Sequence, residues 1–132
     1  MSEHQIKIRV RYAETDQMGV VYHGNYAQYF EIGRVEWLRN QGISYKELEQ
    51  KGIMLPVVSL SMNYKKPAFY DEELTIITRL KHLGGAKIEF DYEIRNAQAE
   101  LLTTAHTVLV FVDMKTKRPT QVPEFLERLI HS

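Results

Sequence analysis

Cysteine is missing from this chain of 132 residues. Its absence excludes disulfide bridges, a thiolate nucleophile and cysteine-ligated zinc, and it suits a reducing cytoplasm. Proline occurs four times and glycine seven times, and neither gathers into a linker or a low-complexity tract. Net charge is absent too. With 17 basic residues against 17 acidic ones, no broad field draws the protein to nucleic acid or to an anionic membrane. No apolar run approaches the roughly twenty residues that span a bilayer. The charged opening Met1-Ser2-Glu3-His4 does not read as a signal peptide. The expectation is one cytoplasmic domain over residues 1–132, since a chain of this length can bury roughly two thirds of its unfolded surface in a single core.

Hydrophobic periodicity orders the elements. Over residues 5–11, Ile6, Ile8 and Val10 alternate with Lys7, Arg9 and Arg11, which predicts a strand with one buried face. The period then lengthens. From about residue 25 to 40, Tyr26, Tyr29, Phe30, Gly33 and Trp37 recur every three or four positions and predict a long helix with an aromatic stripe. Gly33 in mid-helix costs roughly 1 kcal/mol against alanine, which points to a close approach by a backbone or a ligand. A short second helix is marked by Ser44 and Glu47 as a capping box and by Ile43 and Leu48 as a hydrophobic staple. Four strands follow, at about 55–65, 73–83, 87–95 and 101–113, with tight connections that predict a meander. Gly84-Gly85 supplies a hairpin turn. A last helix, starting near Pro123, stacks Val122, Phe125, Leu126, Leu129 and Ile130 for packing at an edge or end of the sheet. Strand, helix, helix and four strands make an α+β domain, and strands near ten residues are long enough to curl around the first helix.

Chemistry concentrates in residues 12–26, which read Y-A-E-T-D-Q-M-G-V-V-Y-H-G-N-Y. One acid, Asp16, stands in a polar, glycine-bearing loop just upstream of the long helix. A helix N-terminus has backbone N–H groups without intrahelical partners and partial positive charge, so it can hold a carbonyl oxygen as negative charge develops there. Asp16 would face that carbonyl as base or nucleophile; its alternative is a helix cap or turn aspartate. No GxGxxG or phosphate loop occurs, and the remaining histidines, His4, His82, His106 and His131, show no metal-ligand spacing. Neither a metal site nor a nucleotide cradled as in dehydrogenases or kinases is expected.

The order aromatic, T-D, G-x-V-Y and N-Y, here Tyr12, Thr15-Asp16, Gly19, Val21-Tyr22-His23 and Asn25-Tyr26, resembles the 4-hydroxybenzoyl-CoA thioesterase group of the hotdog-fold superfamily. The order of elements, the strand opening at Val57-Val58 and the segment Y-K-K-P-A-F-Y-D from Tyr64 extend the resemblance over nearly the whole chain. It implies a five-stranded antiparallel sheet wrapped around a central helix, and a dimer whose sheets join edge to edge with active sites at that interface; a tetramer is the alternative assembly. It also implies hydrolysis of an acyl-CoA thioester without metal, prosthetic group or other cofactor, with water as the only other reactant; a carrier other than CoA, acyl carrier protein, stays open in the sequence.

By the same resemblance Asp16 is the catalytic aspartate, as nucleophile or general base; the base route gains from partial burial that raises its pKa. The backbone N–H of His23 bonds the thioester oxygen, while its imidazole either assists or only packs at a polar helix start. Tyr22 either aims its hydroxyl into the site or buries its ring. Gly19 permits a backbone conformation closed to other residues. Asn25 reads as a reciprocal cap with Gln28. Tyr26 reads as core with a chance of lining the acyl pocket, and Glu31 as a surface acid with a chance of acting. Val57, Val58 and Ser59 pass beside the acyl pocket or pack the core. Lys65 and Lys66, with Arg79, Lys81 and the turn of Lys115, Lys117 and Arg118, are candidates for the CoA phosphates, against the reading of solvated charge at strand ends. Two other functions fit the same fold: hydration or dehydration of 3-hydroxyacyl thioesters by a His23–Asp16 pair, and acyl-CoA binding without turnover.

Overall fold

The alternation of Ile6 and Ile8 with charged neighbours produces β1 at Glu3–Arg9, exposed at every second residue. A computed structural model describes residues 3–131. The strand ends two residues before the expected boundary because Val10 is buried and Arg11 begins a 3-10 turn over Tyr12–Glu14. Helix α1 spans Tyr26–Asn40 and is entered through a second 3-10 turn, His23–Asn25. Its whole aromatic stripe is buried: Trp37 lies edge-on against Phe90, with centroids 5.1 Å apart, and Phe30 against Tyr92 at 4.9 Å. Helix α2, Tyr45–Gln50, has the expected cap, since Ser44 Oγ accepts from the Glu47 N–H at 3.1 Å. Arg34 of α1 donates from Nε to the Tyr45 hydroxyl at 3.2 Å, tying the two helices together.

After a two-residue strand, β2 at Ile53–Met54, come β3 (Val57–Tyr64), β4 (Glu73–Gly84), β5 (Lys87–Arg95) and β6 (Leu101–Val110). Phe111 breaks the expected long last strand, leaving β7 at Val112–Asp113 to pair with β2. Helix α3, Glu124–His131, buries Leu126 and follows a segment tied to the β4–β5 hairpin by Val122 N–H to Gly85 O. It therefore packs at an end of the sheet.

The main sheet is antiparallel in the order β1-β4-β5-β6-β3. The expected meander holds only for β4 to β6. β3 does not pair with β4; it crosses to the far edge beside β6, and β1 takes the place next to β4. The link between β3 and β4, residues 65–72, must cross three strand spacings, about 14 Å. Eight residues reach roughly 26 Å when extended, so this connection is a crossover and not a tight turn. That crossover runs past the N-terminal end of α1 and meets the Asp16 loop through a Val20–Phe69 bridge. The long helix lies across the sheet as in a hotdog.

Candidate active site

Residues 15–21 form a closed loop. Thr15 bridges Val21, the Asp16 N–H donates to Val20 O at 2.9 Å, and the Gly19 N–H donates to Asp16 O at 3.0 Å. Gly19 has φ +78°, the left-handed conformation expected of it, and its carbonyl accepts from the Tyr70 N–H of the crossover. Asp16 Oδ1 accepts from the N–H groups of Met18, at 2.8 Å, and Val20, at 3.3 Å. Oδ2 has no donor among the described residues.

Asp16 is exposed. The partial burial from which the base route would gain does not occur within one chain, and the short side chain bends back to accept from the N–H groups of its own turn. Around it Tyr12, Met18 and Tyr22 are 79%, 82% and 61% exposed. The Tyr22 ring thus points out of the core.

At the mouth of α1, the Tyr22 N–H is taken by Glu14 O at 2.9 Å and the Asn25 N–H by Tyr22 O at 2.9 Å. The N–H groups of His23 and Gly24 between them have no hydrogen-bond partner among the described residues, so two adjacent donors are free where the helix begins. The His23 imidazole makes no hydrogen bond to Asp16 there. It lies against the Tyr64 ring, centroids 4.8 Å apart, and Tyr64 packs edge-on against Tyr26 at 5.1 Å. Val20, Val21, His23, Tyr26, Tyr64, Lys65, Lys66 and Pro67 line a hollow of 250 Å³.

The structure thus gathers four of the expected residues, His23, Tyr26, Lys65 and Lys66, in one hollow. Lys66 is already engaged, with Nζ 2.7 Å from Glu100 Oε2, whereas the Lys65 ammonium has no ion pair among the described residues. Asn25 does not make the expected cap. It sits in helical conformation at the end of the 3-10 turn, and its Nδ2 instead donates to Glu14 O at 2.8 Å. Val57, Val58 and Ser59 lie at the opposite end of β3 from Tyr64, five to seven residues or about 17–23 Å away. Within one chain they neither reach the hollow nor pack the core, being exposed on an edge strand. Arg79 and Lys81 are held in ion pairs on the outer sheet face, with Glu3 and Glu93 and with Asp91. The turn carrying Lys115, Lys117 and Arg118 is folded on Asp113, whose Oδ1 accepts from two of its N–H groups.

Glu14 escaped the sequence reading. It is buried, and its carboxylate accepts from the Arg11 N–H at 2.9 Å, from Arg11 Nε and Nη2 at 3.1 and 3.0 Å, and from the Tyr29 hydroxyl at 2.9 Å. Desolvation pushes its pKa up, but these donors and the guanidinium charge together hold it below the ordinary glutamate value. Burial and the bond to Glu14 push the Tyr29 phenol up, which keeps it a donor. The Arg11-x-x-Glu14 spacing is half of a capping box and was visible, but Tyr29 stands fifteen residues away and nothing local announces it. Among the described residues no group of three His, Cys, Asp or Glu side chains could hold a metal ion, and no helix is long and apolar enough to cross a membrane.

A helix laid across an antiparallel sheet, with free amide donors at its mouth and an acid on the adjoining loop, defines a hotdog protein of the thioester-processing kind. Residues 10–130 match the family model described as the thioesterase-like superfamily. A Bacillus subtilis (strain 168) protein, YneP, provisionally named an acyl-CoA thioesterase, is 40% identical over 115 residues, 87% of this chain and 83% of its own. The acyl-CoA thioester hydrolase YbgC of Escherichia coli O6:H1 is 33% identical over 117 residues, 89% of this chain and 87% of its own. The solved DHNA-CoA thioesterase of Staphylococcus aureus superposes with a TM-score of 0.92 at 37% identity, covering 99% of this chain and 88% of that one. The chain belongs to the thioesterase-like superfamily and is a thioester hydrolase.

Proposed function

We propose that the protein hydrolyses small or medium acyl-CoA thioesters to the free acid and CoA, with Asp16 acting on the carbonyl carbon and the helix mouth holding the carbonyl oxygen. The observation that carries this reading is the pair of N–H groups of His23 and Gly24, without partners among the described residues, beside a loop whose base is bonded to the same helix mouth and which carries Asp16 two residues beyond that bond. In the nucleophilic route a carboxylate oxygen of Asp16 forms a bond to the acyl carbon, the C–S bond breaks to release thiolate, and water then cleaves the mixed anhydride. In the base route Asp16 takes a proton from the water that attacks directly. Either way the oxygen gains charge in the transition state and the two amides stabilise it without reorganising. A CoA thiolate leaves readily, so the His23 imidazole, packed on Tyr64, is not needed as an acid. Lys65, which lines the hollow and whose ammonium has no ion pair among the described residues, suits a CoA phosphate.

The site is completed by a second copy. β3 is an edge strand with Val57, Val58 and Leu60 exposed along it. Antiparallel pairing of two β3 strands about their middle would bring the Val57–Ser59 end of one copy beside the Tyr64 end of the other, and would carry acyl-pocket residues to a hollow they cannot reach in their own chain. It would also cover the exposed apolar groups near Asp16.

Release of thiol from acetyl-, hexanoyl-, palmitoyl-, benzoyl-, 4-hydroxybenzoyl- and 1,4-dihydroxy-2-naphthoyl-CoA tests class and acyl group together; the last is included because a solved Synechocystis thioesterase of the same fold is named for it. The same acyl groups on acyl carrier protein form a parallel arm. Asp16→Asn keeps shape but removes basicity and nucleophilicity, so turnover should fall about 10²- to 10⁴-fold with an unchanged circular dichroism spectrum. Near wild-type turnover in that variant would refute the role of Asp16. Hydration of crotonyl-CoA without thiol release would instead establish a hydratase, and tight acyl-CoA binding with no release across the panel a binding module.

A further inference from the structure

We propose that Glu14 is the positioning residue of this site, fixing the Asp16 loop and the free amides of the helix mouth in one geometry. The inference rests on the reading of Asp16 given above. Glu14 joins three pieces of chain. Its carboxylate takes the backbone and guanidinium of Arg11, two residues past β1, and the hydroxyl of Tyr29 in the first turn of α1; its backbone carbonyl takes the Tyr22 N–H at 2.9 Å and Asn25 Nδ2 at 2.8 Å. The strand end, the helix face and the 3-10 turn therefore meet on one residue.

Two consequences follow for the chemistry. By engaging the Tyr22 N–H, Glu14 sets where the run of free donors begins, at His23. And because residues 15–21 are closed by their own hydrogen bonds, with the crossover holding the Gly19–Val21 side, the position of Asp16, two residues on, is set on its other side by Glu14. An apolar residue could fill this buried place without desolvating a charge. What a fully satisfied carboxylate adds is direction: four donors from two elements leave it one orientation. Reacting groups misplaced by about 1 Å can cost a hundredfold in rate.

Glu14→Gln preserves volume but turns an amide NH₂ against donors that need an acceptor. Tyr29→Phe removes only the hydroxyl. Each should lower kcat about tenfold to a hundredfold while KM shifts less than about threefold, because binding surfaces stay and the alignment of Asp16 with the amides is lost. Tyr92→Phe supplies the comparison: it removes another buried hydroxyl bond, to Thr107 Oγ1 at 2.6 Å, in the sheet away from the loop. It should lower the melting temperature and leave kcat unchanged. In the Asp16→Asn background, Glu14→Gln should cost no further turnover, since there is then no carboxylate to align.

The proposal is overturned if Glu14→Gln and Tyr29→Phe reduce kcat no more than Tyr92→Phe, or if their effect falls on KM alone. Should Glu14→Gln fail to fold, Tyr29→Phe carries the test by itself. An active Asp16→Asn overturns the reading of the whole site; an inactive Asp16→Asn beside fully active Glu14→Gln and Tyr29→Phe overturns only the role of Glu14.

Discussion

At Gly33 the helix lies close against the sheet. A Cβ built on it would stand 2.6 Å from Thr78 Oγ1 and 3.0 Å from Ile76 Cγ2, both on β4. The close approach expected from a mid-helix glycine is real, and it is made by side chains of the sheet. Alanine there would gain about 1 kcal/mol of helix propensity but force β4 and α1 apart, and overpacking of this kind costs about 1–3 kcal/mol. Gly33→Ala should therefore give a net loss of stability, seen as a lower urea midpoint with an unchanged m-value. Asp16 shows the opposite balance of what was legible. Its place in T-D-x-x-G-x-V-Y singled it out, but nothing in that string says which way its carboxylate points. The answer depends on the N–H groups of Met18 and Val20, which face Oδ1 only once the loop has closed.

Helix α2 was readable down to its cap. Ser44 accepts from the Glu47 N–H as the capping-box spacing requires, and Ile43 and Leu48 are both buried. Ser44→Ala should cost about 1 kcal/mol, within a range of roughly 0.5–2 kcal/mol, measured as a lowered urea midpoint with activity retained. The signal is local, and so is the structure it encodes. Strand β3 is the counterexample. Its residues identified it as a strand, yet Val57, Val58 and Leu60 look like core residues and are exposed, because the strand crosses to the edge of the sheet. Apolar character reports that a side chain is to be covered, and it is silent on whether the cover comes from the same chain. Asn25 failed for a related reason: a 3-10 turn ahead of α1 shifted the helix start, and its amide found the carbonyl of Glu14.

In the molecule taken entire, most of the exposed large apolar residues lie along β3 or on the Asp16 loop and the crossover beside it, with Tyr12, Met18, Tyr22, Phe69 and Tyr70; among the described residues Ile32 and Leu129 stand apart. Apolar surface so placed is what self-association removes from water. Val58→Lys puts a charge on the exposed β3 edge, 59% exposed in the single chain, so the fold should survive while association weakens. Light scattering should show a multimer for the wild type and a shift toward the monomer for the variant. Specific activity should fall on dilution in step with dissociation. A variant that stays fully associated and active would show that β3 is not the joining edge.

Periodicity, caps and turn residues are properties of neighbours in sequence, and they sufficed for the element types, the α+β class, the buried stripe of α1 and the loop that bears the candidate acid. Strand order and the company that Glu14 keeps were decided only by tertiary structure. The crossover of residues 65–72 could equally have been a turn by its composition, and β1 took the edge of β4 because the sheet offered it pairing there. Glu14 meets Tyr29 across fifteen residues, and the two amides at His23 and Gly24 are left free by bonds made on either side of them. Contacts between distant residues arise from closing the chain on itself, which no local pattern of side chains records.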